Sequence, residues 1–313
     1  MSDSRTRSIV LTALLLCVAQ VAAEGLQIQV IPEDPLISPG EEPHLFVRFR
    51  NVSDETIVHR LPYAEALKGF PSDLFTVRRN GERLAYANNP EVHFVYKHRT
   101  VLRRGETLTL RVPMSLVAKE SEVAGDYDIQ INADYYFGGY SEPDELRITV
   151  SDQLAPADLS APAVDLLGRP DWRACFPEPP DRRTLQEICR ETKNVPIVRR
   201  RALEFMLETS AVEDLAAPLR EVVDSGDYVI RYYLVDLIDE VPGAELQQDL
   251  LARALEAKDV GLRRRVVVEM KRKQLIEPYR ERLRGLREQT EDEWMKEYLD
   301  QALKQTGKVE EEP

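Results

Sequence analysis

The residues able to do chemistry are few and scattered. All four histidines, His44, His59, His93 and His98, lie in the first third of the chain. His93 and His98 are five apart, so a single straight strand would turn them to opposite sides. A zinc peptidase helix needs a His-Glu-x-x-His run to bring two imidazoles and a general base to one metal ion, and the sequence has none. Asp126 with Asp128, and Glu142 with Asp144, are spaced like acid and base pairs, yet no nucleophile or ligand set converges on them. These patterns exclude a recognisable catalytic, metal or cofactor constellation and lead to the expectation of a nonenzymatic protein. An enzyme using an unrecognised carboxylate site remains an alternative reading.

Cysteine chemistry is tied to compartment. Arg5 and Arg7 precede an apolar run from Ile9 to Ala22, and Val21-Ala22-Ala23 supplies the small residues of a cleavage site, so residues 1–23 read as a signal peptide. The run is shorter than the roughly 20 apolar residues of a membrane span. Leu16 stands where a small residue should precede a lipidated cysteine, which argues against anchoring through Cys17. A secreted or periplasmic protein is expected. Cleavage leaves Cys175 and Cys189, and in an exported chain these are expected to form one disulfide. Such a loop would stabilise the fold by about 3 kcal/mol in the chain-entropy account.

The whole chain carries a net charge of −13, and loss of the leader makes it one charge more negative. That balance disfavours nucleic acid, which needs a basic footprint, and favours solubility. No second long apolar span follows the leader, so no integral membrane segment is expected in the mature chain. The remaining candidates for function are therefore binding surfaces.

Two kinds of element must position them. Residues 24–151 contain short β-branched and aromatic runs: Leu26 to Ile31, Pro43 to Asn51, Leu74 to Arg79, Arg83 to Tyr86, His93 to Tyr96, Thr107 to Val112, Tyr127 to Ala133 and Glu145 to Val150. Asn80-Gly81 is a strong hairpin signal, and the regular spacing predicts an antiparallel, immunoglobulin-like β-sandwich. Gly125-x-Tyr127 has the pattern of a tyrosine corner, whose hydroxyl ties a loop to its strand. Residues 152–170, with Pro156, Pro162 and Pro170, read as a linker holding one short helical turn near Ala163 to Leu167. Residues 308–313 form an acidic tail.

From 171 to 307 the apolar period becomes helical. Basic residues recur at Arg199, Arg231, Arg263 and Lys296, at intervals of 32, 32 and 33, which is the spacing of a stacked helical repeat. Asp227, Asp259 and Asp292 are placed to cap the second helix of successive units. The first helices are expected at Thr184 to Glu191, Val212 to Val223, Leu246 to Ala257 and Leu275 to Arg284, with a kink or broken start at Pro218.

Those units resemble HEAT repeats over about residues 184–305, giving a short α-solenoid after the sandwich. Gly40-Glu41-Glu42-Pro43, Asn51-Val52-Ser53, Asn80-Gly81-Glu82 and Arg104-Gly105-Glu106, in that order, resemble the non-catalytic β-sandwich of deuterolysin-like peptidyl-Lys metalloendopeptidases, and also intracellular proteinase inhibitor domains. The second resemblance implies inhibition of a proteinase by the sandwich as an alternative function.

In HEAT proteins the second helices usually line the concave side, so the resemblance implies a binding groove holding Arg200, Tyr232 and Arg264, with Glu204 and Asp236 one turn further. Arginine and tyrosine are frequent hot-spot residues. The expected partner is a protein or peptide. Arg199, Arg231, Arg263 and Lys296 are read as a structural ladder against caps and carbonyls. Tyr135, Tyr136, Phe137 and Tyr140 form an aromatic loop that either packs between the domains or adds contacts to a partner.

Overall fold

A computed structural model describes residues 19–23, 25–59, 75–86, 99–121, 123–131, 145–151, 157–224 and 227–305. A β part comes first and a helical part follows. Among the described residues the strands are β1 (Ala19–Ala23), β2 (Leu26–Pro32), β3 (Leu36–Ile37), β4 (His44–Asn51), β5 (Ile57–His59), β6 (Phe75–Arg79), β7 (Glu82–Arg83), β8 (Thr100–Leu102), β9 (Thr107–Pro113), β10 (Gly125–Ile131) and β11 (Glu145–Val150). They form one sheet of order β1-β2-β4-β9, a second of order β3-β11-β10-β6-β7, and a β5-β8 pair. The β3–β11 pairing is parallel, so the β part is not purely antiparallel as expected.

Alternation along the strands builds the core. Leu45, Val47 and Phe49 of β4, Leu108, Leu110 and Val112 of β9, and Ile28 and Val30 of β2 face the second sheet's Phe75, Val77, Ile129, Leu146 and Ile148 in one apolar cluster. Asn80 and Gly81 turn the β6–β7 hairpin with φ of 51° and 87°, as a tight hairpin of this twist requires. The Tyr127 hydroxyl donates to the carbonyl oxygens of Glu120, at 3.0 Å, and Val123, so the corner tie forms. β1 pairs with β2 from Ala19↔Val30 to Ala23↔Leu26. Cleavage after Ala23 would remove β1 and leave β2 at the edge of its sheet.

The helices are α1 (Ala163–Leu167), α2 (Arg182–Arg190), α3 (Pro196–Thr209), α4 (Val212–Asp224), α5 (Tyr228–Asp236), α6 (Ala244–Ala254), α7 (Val260–Arg272), α8 (Arg280–Gln289) and α9 (Glu293–Gln305), with a 3-10 turn at Trp172–Cys175. Successive pairs α2/α3, α4/α5, α6/α7 and α8/α9 pack together, and the second helices α3, α5, α7 and α9 pack one on the next. Asp227 caps α5 through Val229 N, and Asp259 caps α7 through Leu262 N at 2.9 Å. Asp292 accepts from Met295 N at 2.8 Å. Helix α4 runs through Pro218 as one element rather than starting there. Among the described residues no helix is long and apolar enough to cross a membrane.

Cys175 and Cys189 are both free and buried, which overturns the expected disulfide. The Cys189 thiol points from α2 into the helical core, 3.6 Å from the Arg199 carbonyl and 3.9 Å from the Met206 sulfur. Cys175 instead turns back on Asp171, 3.6 Å from its carbonyl. Pro177, Pro179 and Pro180 lie between the two cysteines, and proline cannot continue a helix or supply an amide for a tight turn that would bring the thiols together. Burial pushes the Cys189 thiol up to about 12.

The two parts share side chains. Ile31 and Phe46, on the outer face of the first sheet, belong to the helical core, while Val260 of α7 belongs to the β core. Phe46 stands edge-on to Tyr232 and Tyr233, with ring centroids 5.6 and 5.4 Å away. The short helix α1 belongs to the helical part: Leu167 is buried in its core, and its carbonyl accepts from Arg201 at 2.8 Å.

Candidate functional site

The outer face of the first sheet is unusual in composition. Pairing registers Ile31 with Phe46 and Arg111, Gln29 with Arg48 and Thr109, and Gln27 with Arg50 and Thr107. Polar residues alternating with a buried core normally face water. Here α5 and α7 lie over part of that face, at Phe46, Thr107 and Thr109.

One end of that contact is closed by charge. Glu33, 4 % exposed, accepts from Arg111 Nε at 2.8 Å and from the Tyr233 hydroxyl at 2.9 Å, with Arg200 Nη1 3.5 Å away. Neighbouring Asp34 meets Arg201 at 3.2 Å. Burial is the largest influence on Asp34 and, against Arg201, raises its carboxyl to about 7. A buried ion pair of this kind fixes orientation more than it adds stability.

The expected partner face lies at this contact. Arg200 is half-buried and bonds Glu204 at 2.9 Å. Tyr232 is buried against Phe46. Asp236 pairs with Arg265 at 3.1 Å, and burial raises its pKa. Arg264, 1 % exposed, is held further along by Asp292 and by the Thr100 hydroxyl at 2.9 Å. Part of the face expected to await another protein is met by this chain's own β part, Tyr232 by Phe46 of β4 and Arg264 by Thr100 of β8.

Ladder geometry explains the Arg264 placement. Arg199 reaches the Asp227 cap at 2.6 Å and the Cys189 carbonyl at 2.7 Å, and Arg264 reaches the Asp292 cap in the same way, 28 residues on in both cases. Arg263 turns aside, to the Ala257 carbonyl at 3.0 Å and to Glu106 of the β part at 3.1 Å. The third unit thus shifts the ladder by one residue.

Asp126 and Asp128 are engaged across the β10–β11 pair by the Thr149 hydroxyl at 2.8 Å and by Arg147 at 2.9 Å. They are cross-strand pairs on a sheet surface. Glu142, Asp144, His93, His98, Cys17 and the aromatic loop of Tyr135, Tyr136, Phe137 and Tyr140 lie outside the described residues. Among the described residues no three of His, Cys, Asp or Glu are grouped to hold a metal ion.

At the other end of the contact the two parts diverge and leave a cleft of about 520 Å³. Its floor is Arg48, Arg50 and Thr107 of the sheet. Its walls are Val223 and Asp224 at the end of α4, Tyr228 and Arg231 at the start of α5, Arg253 of α6 with Glu256, Ala257 and Lys258 just after it, and Asp259 and Leu262 at the start of α7. Asp259 fixes the rim. Its carboxylate takes the Thr107 hydroxyl at 2.6 Å, the Thr109 hydroxyl at 2.5 Å and the Thr109 amide at 3.2 Å while it caps α7. Gly261 lets the helix approach, since a β-carbon there would stand 2.2 Å from the Thr109 carbonyl oxygen.

Charge in the cleft is unbalanced. Asp224 is bonded by Arg253 at 3.0 Å, and Glu256 by Arg282 at 2.5 Å. Among the described residues Arg48, Arg50, Arg231 and Lys258 have no carboxylate partner. Arg48 lies over the Tyr228 ring, 4.1 Å from its centroid. Among the described residues, the Nε atoms of Arg48 and Arg231 and the Tyr228 hydroxyl are buried with no hydrogen-bond partner. Burial holds the Arg231 guanidinium below its usual value and raises the Tyr228 phenol, so both groups sit in a poorly solvated place.

Sequence reasoning assigned Arg231 to the ladder and passed over Arg48, Arg50, Tyr228 and Lys258. The available signal was Phe46-x-Arg48-x-Arg50: a large aromatic on the outer side of a strand already announces a cover, and the arginines on the same side must then meet it. No family model matches this chain, and no curated protein matches it in sequence.

Proposed function

We propose that this is an exported, nonenzymatic binding protein, in which an immunoglobulin-like β part is joined to HEAT-like helical units and the ligand is held where the two meet. The repeat reading rests on the spacing of the second helices, at 32 to 33 residues, and on their packing one against the next. A stack of that kind has two faces to cover. The first helices cover one, and the outer face of the β1-β2-β4-β9 sheet covers much of the other.

The observation that carries the binding reading is the cleft. Two separately built surfaces stay closed at the Glu33 end and open beside Arg48 and Arg231, where donors are left without acceptors. Leaving a buried donor unsatisfied costs about 1–3 kcal/mol, and a bound ligand repays that cost. The expected partner is now read as a ligand entering this cleft, rather than a protein lying along Arg200, Tyr232 and Arg264.

Capture from an envelope or culture-fluid extract tests it. The immobilised full chain should retain a ligand that the doubly substituted Arg48→Met, Arg231→Met chain does not. Equal retention by the two would refute the assignment of binding to the cleft. N-terminal sequencing of the exported product should begin at Glu24.

A further inference from the structure

We infer that the cleft is an oxyanion site built for a phosphate-type dianion, gripped by Arg48, Arg231 and the Tyr228 hydroxyl, with Arg50 and Lys258 at its mouth. This rests on the reading of the cleft as the binding site and adds the chemistry of the ligand.

Four features lead there. First, the surplus is positive: four cations are unpaired by carboxylates among the described residues, whereas Asp224 and Glu256 are each already held by an arginine. Asp259 makes its hydrogen bonds to two threonine hydroxyls and two backbone amides rather than to a cation, although its charge, like those of Asp224 and Asp227, still acts on Arg231. Second, the unsatisfied atoms include two Nε groups, which can only donate, and a phenol that donates readily. A ligand rich in acceptors matches them. A donor-rich one does not.

Third, geometry favours a fork-to-oxyanion contact. Guanidinium groups bind carboxylate and phosphate through paired, roughly parallel N–H bonds. Arg48 lies over the Tyr228 ring, 4.1 Å from its centroid, which restricts its freedom before any ligand arrives. A phosphate offers enough oxygens and charge to meet two such forks and the phenol together, whereas a monocarboxylate offers two oxygens and one charge. Fourth, the net charge of −13 opposes an anion at long range, so attraction must come from nearby cations in a poorly solvated cleft, where it is least screened. The volume exceeds that of one oxyanion, and Val223, Ala257 and Leu262 line part of the wall, which gives the remainder of an organic phosphate an apolar seat.

Calorimetric titration of the full chain at low salt decides the matter, using inorganic phosphate, phenyl phosphate and acetate as probes. Saturable binding of one phosphate per chain, at least about tenfold tighter than acetate, is expected. Phenyl phosphate binding more tightly than inorganic phosphate would identify an organic phosphate as the ligand; the reverse would identify the free ion. The Arg48→Met, Arg231→Met chain should lose at least about tenfold in phosphate affinity. Arg50→Gln with Lys258→Gln changes only exposed residues, leaves the fold intact and should still weaken binding several-fold and flatten its salt dependence. Absence of saturable phosphate binding, or affinity unchanged in the mouth variant, overturns the inference. If capture still depends on the cleft while phosphate fails, the ligand class is wrong and the binding reading stands. If capture is indifferent to the cleft, the binding reading itself falls.

Discussion

Replacing Gly261 by alanine sets two effects against each other at one atom. Gly261 is the second residue of α7, and in isolation the change should help, because alanine is better than glycine in a helix by about 1 kcal/mol. The new β-carbon, however, would stand 2.2 Å from the Thr109 carbonyl oxygen and 3.1 Å from the Thr109 nitrogen. Both are backbone atoms in the middle of a paired strand, so neither can swing aside as a side chain does. Ordinary contact requires α7 to retreat by about 1.2 Å. A retreat of that size lengthens the Asp259 bonds to Thr107 and Thr109, now 2.5 to 3.2 Å, beyond useful range. Hydrogen bonds to a charged acceptor contribute about 1.5–3 kcal/mol each, and water reclaims part of the loss. A net destabilisation of about 3 kcal/mol is expected, lowering the melting temperature by roughly 5 °C for a chain of this size. Gly285, inside α8 with nothing within 4 Å of an added β-carbon, is the matched control, and Gly285→Ala should stabilise by up to about 1 kcal/mol. Thermal and urea melts of the two variants should therefore move in opposite directions. A Gly261→Ala chain as stable as wild type would refute the close docking of α7 on β9.

Stability should carry the signature of Asp34. Its folded pKa, raised to about 7 by burial, lies above the value of 3.8 for the free side chain; the folded chain therefore keeps the proton that the unfolded chain releases, and stability falls as pH rises from about 4 to about 7. Relative to Asp34→Asn, the wild type should lose about 4 kcal/mol over that window in denaturant melts, and a flat difference would contradict the buried placement. Cys175 and Cys189 should resist thiol reagents at pH 8 in the native chain and react fully once unfolded, with reductant leaving the melting temperature unchanged; a reductant-sensitive transition would restore the disulfide. Tyr127→Phe should cost about 1–2 kcal/mol by releasing the Glu120 and Val123 carbonyls, read from the same melts.

Much of the architecture was legible because local rules and tertiary packing agree. β2, β4, β6, β9, β10 and β11 begin and end within about two residues of the β-branched runs that announce them, and Asn80-Gly81 turns where its dipeptide demands. Asp227, Asp259 and Asp292 cap as their spacing implies. β3 was invisible since two residues, Leu36 and Ile37, make no pattern, and its parallel partner is over a hundred residues away. Helix α8 starts at Arg280, later than expected, because Gln274 takes a φ of 58° and the buried Leu275 and Ile276 anchor a turn instead of a helical stripe. Cysteine spacing says nothing of which way two thiols point, and here they point apart.

The candidate site was hidden for a deeper reason. Hydrophobic periodicity reports that a face is covered without reporting what covers it. On α3, α5 and α7 the mixture of Arg200, Tyr232 and Arg264 is what an interface with another protein would show, and the same mixture serves an interface within one chain, since both need apolar contact with paired charge. The deciding clues sat on the opposing surface. Phe46 lies on a strand face that would otherwise be solvated, and Ile31 beside it does the same. Thr107 and Thr109, which look like ordinary exposed strand residues, are 3 % and 2 % exposed because Asp259 reaches them. Once a sheet face and a helix face are both seen to need covers, joining them is the economical solution. Among the described residues, those left without a carboxylate partner after that joining, Arg48 and Arg231 foremost, are the ones on which the proposed binding rests.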